Sequence, residues 1–293
     1  MLEVRALGRL EAFYRGSPLQ LPTQKTLELL CYLLMHSGRR VHRCTIAEAL
    51  WPMRPPGKAR RSLSTALWRL RRALRAVDVS APKLFLAQRQ FIALDPAMPV
   101  RFDVAEFEHH VQLGLAQDDA SDPTRLEQLE IGTRLYEGPL LAGVYSDWCL
   151  GERERLQLLF LRSLRQLLTH YRLTGAFEAA LSMGRRLLTL DPLQEDVHRE
   201  IMRCYVASGR RALALEQYEC CREVLRRELR IEPMTETRAL SLQIRQGPNL
   251  PVTSMSVGEP QSPYLAALGR FRDALAALEE SWEALQSIAP DVH

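Results

Sequence analysis

Nowhere does an apolar run approach the roughly 18 residues that a helix needs to cross a bilayer. The opening residues, Met1 to Leu10, alternate charged and apolar groups instead of placing a positive segment before a hydrophobic one, so they do not read as a signal peptide. The sequence is that of a soluble, cytoplasmic protein with no membrane partner. Cysteine is sparse and unpatterned: Cys31, Cys44, Cys149, Cys204, Cys220 and Cys221 include no C-x-x-C pair, and a chain of this size needs no disulfide staples. They read as reduced thiols, mostly core filler. The histidines form no H-E-x-x-H and no His/Cys pair of zinc-finger spacing, which argues against structural zinc. G-x-S-x-G and G-x-G-x-x-G are also missing. Two leftovers could suggest chemistry. The run Glu152-Arg153-Glu154-Arg155 supplies carboxylates, but arginines between them predict structural ion pairing; Ser80-x-x-Lys83 has the spacing of some acyl enzymes but sits in a Pro-interrupted loop without companion motifs. The expectation is no catalysis, no metal and no cofactor.

What the sequence does contain is a charge asymmetry hidden by its net +4. Residues 1–100 hold 17 Lys/Arg against 6 Asp/Glu, whereas the remainder holds 22 against 29. A basic module precedes an acidic one. Cations concentrated on a small domain release counterions when they neutralise phosphates, so the first module is a candidate for nucleic-acid binding.

Residues 2–21 carry short apolar pieces (Leu2, Val4, Ala6; Leu10, Ala12, Phe13; Leu19, Leu21) parted by Gly8 and Gly16-Ser17-Pro18, the pattern of a small β-meander. Thr23 is placed to cap a first helix in which Leu27, Leu30, Cys31 and Leu34 share a stripe ending at Ser37-Gly38. A second helix spans about Arg43 to Leu50, and Pro52, Pro55, Pro56 and Gly57 break the chain after it. In a third, Lys58 to Ala76, Leu63, Leu67, Leu70 and Leu74 recur at spacings of four, three and four, a narrow buried stripe. Successive residues lie ~100° apart around a helix. Arg61, Thr65, Trp68 and Arg72 therefore stand opposite that stripe, with Lys58, Arg69 and Arg75 flanking and Ser64 adding a hydroxyl. Leu84–Leu86 and Phe91–Leu94 read as two strands around Ala87–Gln90, with Arg89 at the tip. Strands, three helices and a terminal hairpin make a winged helix, a fold that inserts a helix into the major groove, where Arg grips guanine.

After Asp103 the apolar spacing is helical throughout. Tyr171-Arg-Leu-Thr-Gly175 aligns with Tyr205-Val-Ala-Ser-Gly209 at a displacement of 34 residues, and Ala180-Leu181 with Ala214-Leu215 at the same displacement. That is the tetratricopeptide period. The boundaries expected are 1–100 for the winged helix, 101–246 for the helical domain, 247–263 for a Pro/Ser/Gly-rich linker and 264–289 for an amphipathic helix. In that last helix Leu268, Phe271, Leu275, Leu278, Trp282 and Leu285 form a seam that can either dimerise the chain or dock on the helical domain.

The segment Leu50-Trp51-Pro52 followed by Ala59-Arg-Arg-Ser-Leu-Ser-Thr-Ala-Leu-Trp-Arg-Leu-Arg-Arg-Ala-Leu74 resembles the DNA-binding domain of SARP-type bacterial activators. The second domain resembles the bacterial transcriptional activator domain through Asp103-x-x-x-Phe107, Leu135-Tyr136-x-Gly138-Pro139-Leu140-Leu141, Trp148, Glu152-Arg153-Glu154-Arg155-Leu156, Leu190-Asp191-Pro192, Glu195-x-x-His198-Arg199-x-x-Met202 and Gly209-Arg210-x-Ala212-x-Ala214-Leu215. The likeness covers about residues 1 to 245. It implies a mainly α chain: an α+β winged helix of the response-regulator effector type, then an all-α tetratricopeptide-like domain. It also implies promoter binding, often at direct repeats, and recruitment of RNA polymerase, with Met53 to Gly57 as a contact loop. Base contacts would come from the third helix (Lys58, Arg61, Ser64, Thr65, Trp68, Arg69, Arg72, Arg75) and backbone contacts from the wing at Arg89.

The wing departs from the family in lacking its usual Gly-Tyr pair, and no G-x-x-x-x-G-K-[ST] loop of the larger members is present. A homodimer and a small effector, held by arginines such as Arg199, Arg210 and Arg211, are the further partners this reading admits. Arg270-x-x-Asp273 resembles a nucleotide second-messenger motif, but a four-residue match on an exposed helix is expected by chance. Two alternatives stay open: an interaction scaffold whose basic domain is incidental, and a regulator gated by a small ligand.

Overall fold

Leu2, Val4, Ala12 and Tyr14 alternate with less buried neighbours, so the first two strands, β1 (Leu2–Arg5) and β2 (Glu11–Tyr14), each lay one face on the core. The chain's computed structural model describes residues 1–78, 84–96, 98–116 and 123–247. Ser80-x-x-Lys83, the linker beyond Gly247, the seam at 264–289 and Arg270-x-x-Asp273 lie outside the described residues. Strand β3 (Ser17–Pro18) follows β2 through Arg15 and Gly16, both at positive φ (51° and 80°). Two such residues form a tight turn whose twist matches the strands it joins. The meander is therefore real, but its buried aromatic is Tyr14 and not Phe13, because the register pairs Leu2 with Tyr14 and sends Phe13 to the other face.

Helix α1 (Gln24–Met35) is buried on nearly every side, from Thr26 to Leu34 with Leu27 alone half-exposed. Thr23 occupies the N-cap position but does not cap with its side chain; its hydroxyl pairs with that of Thr26 at 2.8 Å. Strand β4 (Val41–His42) leads into α2 (Arg43–Leu50), and α3 (Pro56–Val77) follows the proline loop. Pro56 at the first turn of α3 loses no helix bond, since that N–H would lack an intrahelical partner anyway. Leu63, Leu67, Leu70 and Leu74 are all buried, as their spacing predicts. Strands β5 (Phe85–Ala87) and β6 (Phe91–Leu94) form the hairpin, which β4 extends to a three-stranded sheet in the order β4-β6-β5.

Strand β7 (Val100–Phe102) straddles the expected boundary at residue 100 and pairs in parallel with β1, completing a second sheet in the order β3-β2-β1-β7. Helices α4 (Asp103–Leu115), α5 (Pro123–Leu135), α6 (Asp147–Leu173), α7 (Phe177–Leu190), α8 (Glu195–Ala207), α9 (Arg211–Leu229) and α10 (Thr235–Gln246) follow. The 34-residue period has a structural counterpart. Gly175 and Gly209 end α6 and α8 at φ of 79° and 76°, and Ala180 and Ala214 are fully buried one turn into α7 and α9.

Residues Met1–Arg245 form one unit, joined where the chain after β1 meets the segment after α5. The N–H groups of Ala6 and Leu7 donate to Asp103 Oδ2 at 2.7 and 2.9 Å, while Asp103 Oδ1 accepts from Val104 in the first turn of α4. Leu141 N–H donates to Ala6 O and Gly8 N–H to Pro139 O. At this crossing Gly8 has φ of 98°, and a Cβ built on it would meet Glu137 and Gly138 backbone at 3.1 Å. Arg153 donates to the carbonyls of Leu140, Leu141 and Val144 at 2.8–2.9 Å. Expected to pair with its neighbouring glutamates, it braces instead the loop that bears the crossing, leaving Arg155 to bridge Glu152 and Glu108.

His198 is buried between α8 and α9. Its Nε2 donates to Pro192 O at 3.0 Å, and its Nδ1 accepts from the Gln217 amide at 2.7 Å. That pattern requires the neutral ring, and burial lowers its pKa from the ordinary 6.5.

Two outcomes follow. Gly8→Ala combines left-handed backbone strain with a backbone clash and should cost about 1–3 kcal/mol, read as a lowered Tm in a thermal melt. For His198, the unfolded chain takes up a proton before the folded one as pH falls below about 6.5, so stability should drop from there toward pH 5. Melts of His198→Gln should show a flatter profile across that range.

Candidate nucleic-acid interface

Because the leucine stripe of α3 faces inward, the opposite face is left to solvent. Lys58, Arg61, Ser64, Thr65, Trp68, Arg72 and Arg75 are exposed, as is Arg89 between β5 and β6, and Arg69 is half-buried. Four devices hold the helix in place. At its start, Arg54 donates to Ser62 Oγ at 2.7 Å. On one flank, Arg43 of α2 donates to Ser64 Oγ at 3.2 Å. Toward the wing, the Arg71 guanidinium lies 4.5 Å from the Phe85 ring centroid. At its end, Asp78 accepts from Tyr14 and pairs with Arg15 at 3.0 Å, fixing α3 to the β2–β3 turn.

Two clusters stand out among these residues. Lys58, Arg61, Thr65 and Arg69 line one groove with Lys25, Trp51 and Arg54. Trp68 and Arg72 stack on each other elsewhere on the same face, with the guanidinium 5.2 Å from the indole centroid. Ser64 and Thr65 donate their hydroxyl protons to the carbonyls of Arg60 and Arg61 one turn back. What each offers a base edge is therefore an acceptor lone pair. At the wing tip, Gln88 N–H donates to Phe91 O and closes the loop that carries Arg89.

Lys25, Arg43 and Arg54 were not foreseen in this interface. None lies on α3, and only their proximity in space reveals them. Met53, in the proline loop, is 94% exposed.

Next to this groove the winged helix abuts the helical domain. Lys25 Nζ donates to Glu28 Oε2 at 2.6 Å and to Ser146 Oγ at 3.2 Å, and Ser146 donates to Glu28 at 3.3 Å. Tyr32 meets Trp148 edge-on at 5.1 Å between centroids. Arg199, Arg210 and Arg211 do not converge on a common site. Arg199 donates to Thr237, Arg210 to Ser208 and Glu178, and Arg211 to the carbonyl of Arg245. Among the described residues, no His/Cys/Asp/Glu group is placed to hold a metal ion, and no helix is long and apolar enough to cross a membrane.

A winged helix with a solvent-facing basic helix, followed by a domain of helical hairpins, is the architecture of a DNA-binding transcription regulator. Residues 16–90 match the family model described as transcriptional regulatory protein, C terminal, and residues 102–245 match the bacterial transcriptional activator domain. The chain is similar to the transcriptional regulatory protein MoaR1 of Mycobacterium tuberculosis, with 27% identity over 251 residues, 82% of this chain and 78% of that protein. It is also similar to the transcriptional regulator RedD of Streptomyces coelicolor, with 29% identity over 269 residues, 89% and 76% of the two chains. The solved structure of Mycobacterium tuberculosis EmbR in complex with a low-affinity phosphopeptide shares the fold, with a TM-score of 0.63 at 23% identity over 84% of this chain and 66% of that one. The chain belongs to the SARP-type bacterial transcription regulators, a family of regulators and not of enzymes.

Arg43→Ala and Arg54→Ala each remove an exposed polar contact and should leave stability within about 0.5 kcal/mol. If these arginines touch phosphate, each variant should weaken binding evenly across DNA sequences and lower the salt slope by about 1, measurable by fluorescence anisotropy at several salt concentrations.

Proposed function

We propose that α3 enters the major groove of promoter DNA, with Lys58, Arg61, Ser64, Thr65, Trp68, Arg69, Arg72 and Arg75 facing the duplex and Arg89 of the wing touching the adjacent backbone. The observation that carries this reading is the separation of faces on one helix: every stripe leucine is buried and nearly every cation opposite is exposed. A helix held at both ends and on both flanks loses little freedom on binding, which favours affinity. The acidic second half, with 29 Asp/Glu against 22 Lys/Arg, repels the polyanion and directs DNA to the basic side.

In the same proposal the chain is an activator. The loop Met53 to Gly57 touches RNA polymerase while α3 stays on DNA, a role supported by the loop's exposed Met53 at the edge of the basic face. One reading helix covers only a few base pairs, too little to single out one promoter among the competing sites of a genome. A second copy on a neighbouring repeat supplies the rest, and the tetratricopeptide-like hairpins are the surface through which copies or a small effector act. Residues 1–100 and 101–246 serve in this scheme as the DNA-binding and relaying domains within one cytoplasmic protein.

Binding-site selection from a genomic fragment library with the full chain, followed by gel shifts across a salt series, tests the proposal. Affinity for the selected fragment should fall steeply with salt, with a log-log slope of about −0.9 per phosphate contacted. Arg61→Ala should cost about 1–3 kcal/mol on that fragment and relax selectivity at one base pair. Absent or salt-insensitive binding at low ionic strength would overturn it.

A further inference from the structure

Trp68 departs from the character of its surroundings. The face opposite the leucine stripe is otherwise cationic or hydroxylic, yet it carries an indole that is 54% exposed. An indole with an apolar body and a polar N–H suits a surface that is covered by a partner, and tryptophan is enriched at interfaces for that reason. The residue one turn further along, Arg72, lays its guanidinium over the indole at 5.2 Å from the centroid. A cation held over an indole face is restrained without losing its outward N–H donors. The pair thus presents an apolar ring and a pre-oriented fork of donors side by side, on the part of α3 that faces away from the protein core.

In the major groove the complement of an arginine fork is guanine, through O6 and N7, and the one apolar group on any base edge is the 5-methyl of thymine. Successive bases of a strand are stacked about 3.4 Å apart, so two groups 5.2 Å apart reach neighbouring base pairs and not distant ones. Resting on the proposal that α3 is the reading helix, we infer that Trp68 and Arg72 act as one reading unit for a thymine and a guanine on neighbouring base pairs, the indole covering the thymine methyl and the guanidinium gripping the guanine. Trp68 then has a double role. It contributes the methyl contact directly, and by restraining Arg72 it sharpens discrimination for guanine.

The test uses atomic substitutions in the operator obtained by site selection with the full chain. Each thymine in turn is replaced by deoxyuridine, which lacks only the methyl, and each guanine by 7-deazaguanine, which lacks only the N7 acceptor. Affinities are read by anisotropy. For the wild type, one deoxyuridine should weaken binding about fourfold, the worth of one buried methyl, and a neighbouring 7-deazaguanine should weaken it on the order of tenfold. Trp68→Ala should bind deoxyuridine and thymine operators equally and show a smaller 7-deazaguanine penalty, while Arg72→Ala should lose the 7-deazaguanine penalty. Both side chains are exposed, so melts of the two variants should match the wild type. An operator that is bound tightly but tolerates deoxyuridine at every position, or a Trp68→Ala protein that keeps the wild-type methyl effect, would overturn the inference while leaving α3 as the reading helix. Failure to select any operator would remove both.

Discussion

Past the end of β1 the backbone amides of Ala6 and Leu7 have no strand to receive them, and a buried N–H without an acceptor costs as much as a lost hydrogen bond. Asp103 supplies the acceptor for both and, with its other oxygen, accepts from the N–H of Val104 in the first turn of α4. Burial raises the pKa of this carboxyl, and the three N–H donors oppose that rise. The arrangement works only if the first strand and the first helix of the second domain are held at a fixed distance. The parallel pairing of β1 with β7, the bridge from Leu7 to Leu140 and the crossing of Gly8 with Gly138 all depend on that distance. Arg153 belongs to the same construction, since its three carbonyl partners sit in the loop that crosses over Gly8.

Helix α3 is set by a second, more local group of contacts. Its inward stripe fixes rotation about the axis, and polar contacts at the ends and flanks fix translation. The consequence is a division of labour along α3. Leu63 and Leu70 answer to packing, and the residues opposite them stand in solvent.

Local patterns carried most of the fold into the sequence. The leucines of α3 recur at helical spacing, α2 is bounded by a proline cluster, and the 34-residue offset places glycine and alanine at equivalent points of two hairpins. What sequence could not show is long-range. Strand β4 is two residues long, β7 finds its partner across the whole winged helix, and the requirement for Gly138 exists only because Gly8 passes against it. The same limit applied to the interface. Arg61 and Arg72 follow from the wheel of one helix, whereas Lys25, Arg43 and Arg54 reach that surface from other elements. Local reading also misled at Thr23, whose hydroxyl turns to Thr26 and not to the helix amides, and at Arg153, whose neighbours in sequence are acidic but whose neighbours in space are carbonyls.

Because the first strand completes its hydrogen bonding only with residues 139 to 141, the order in which the polypeptide is made matters to its folding. A chain emerging from the ribosome has all of the winged helix available long before the loop that closes over Gly8. During that interval the carbonyl of Ala6 and the amide of Gly8 lack the partners that Leu141 and Pro139 later supply. The DNA-binding half therefore reaches its final state as a late event of synthesis, governed by the half that follows it.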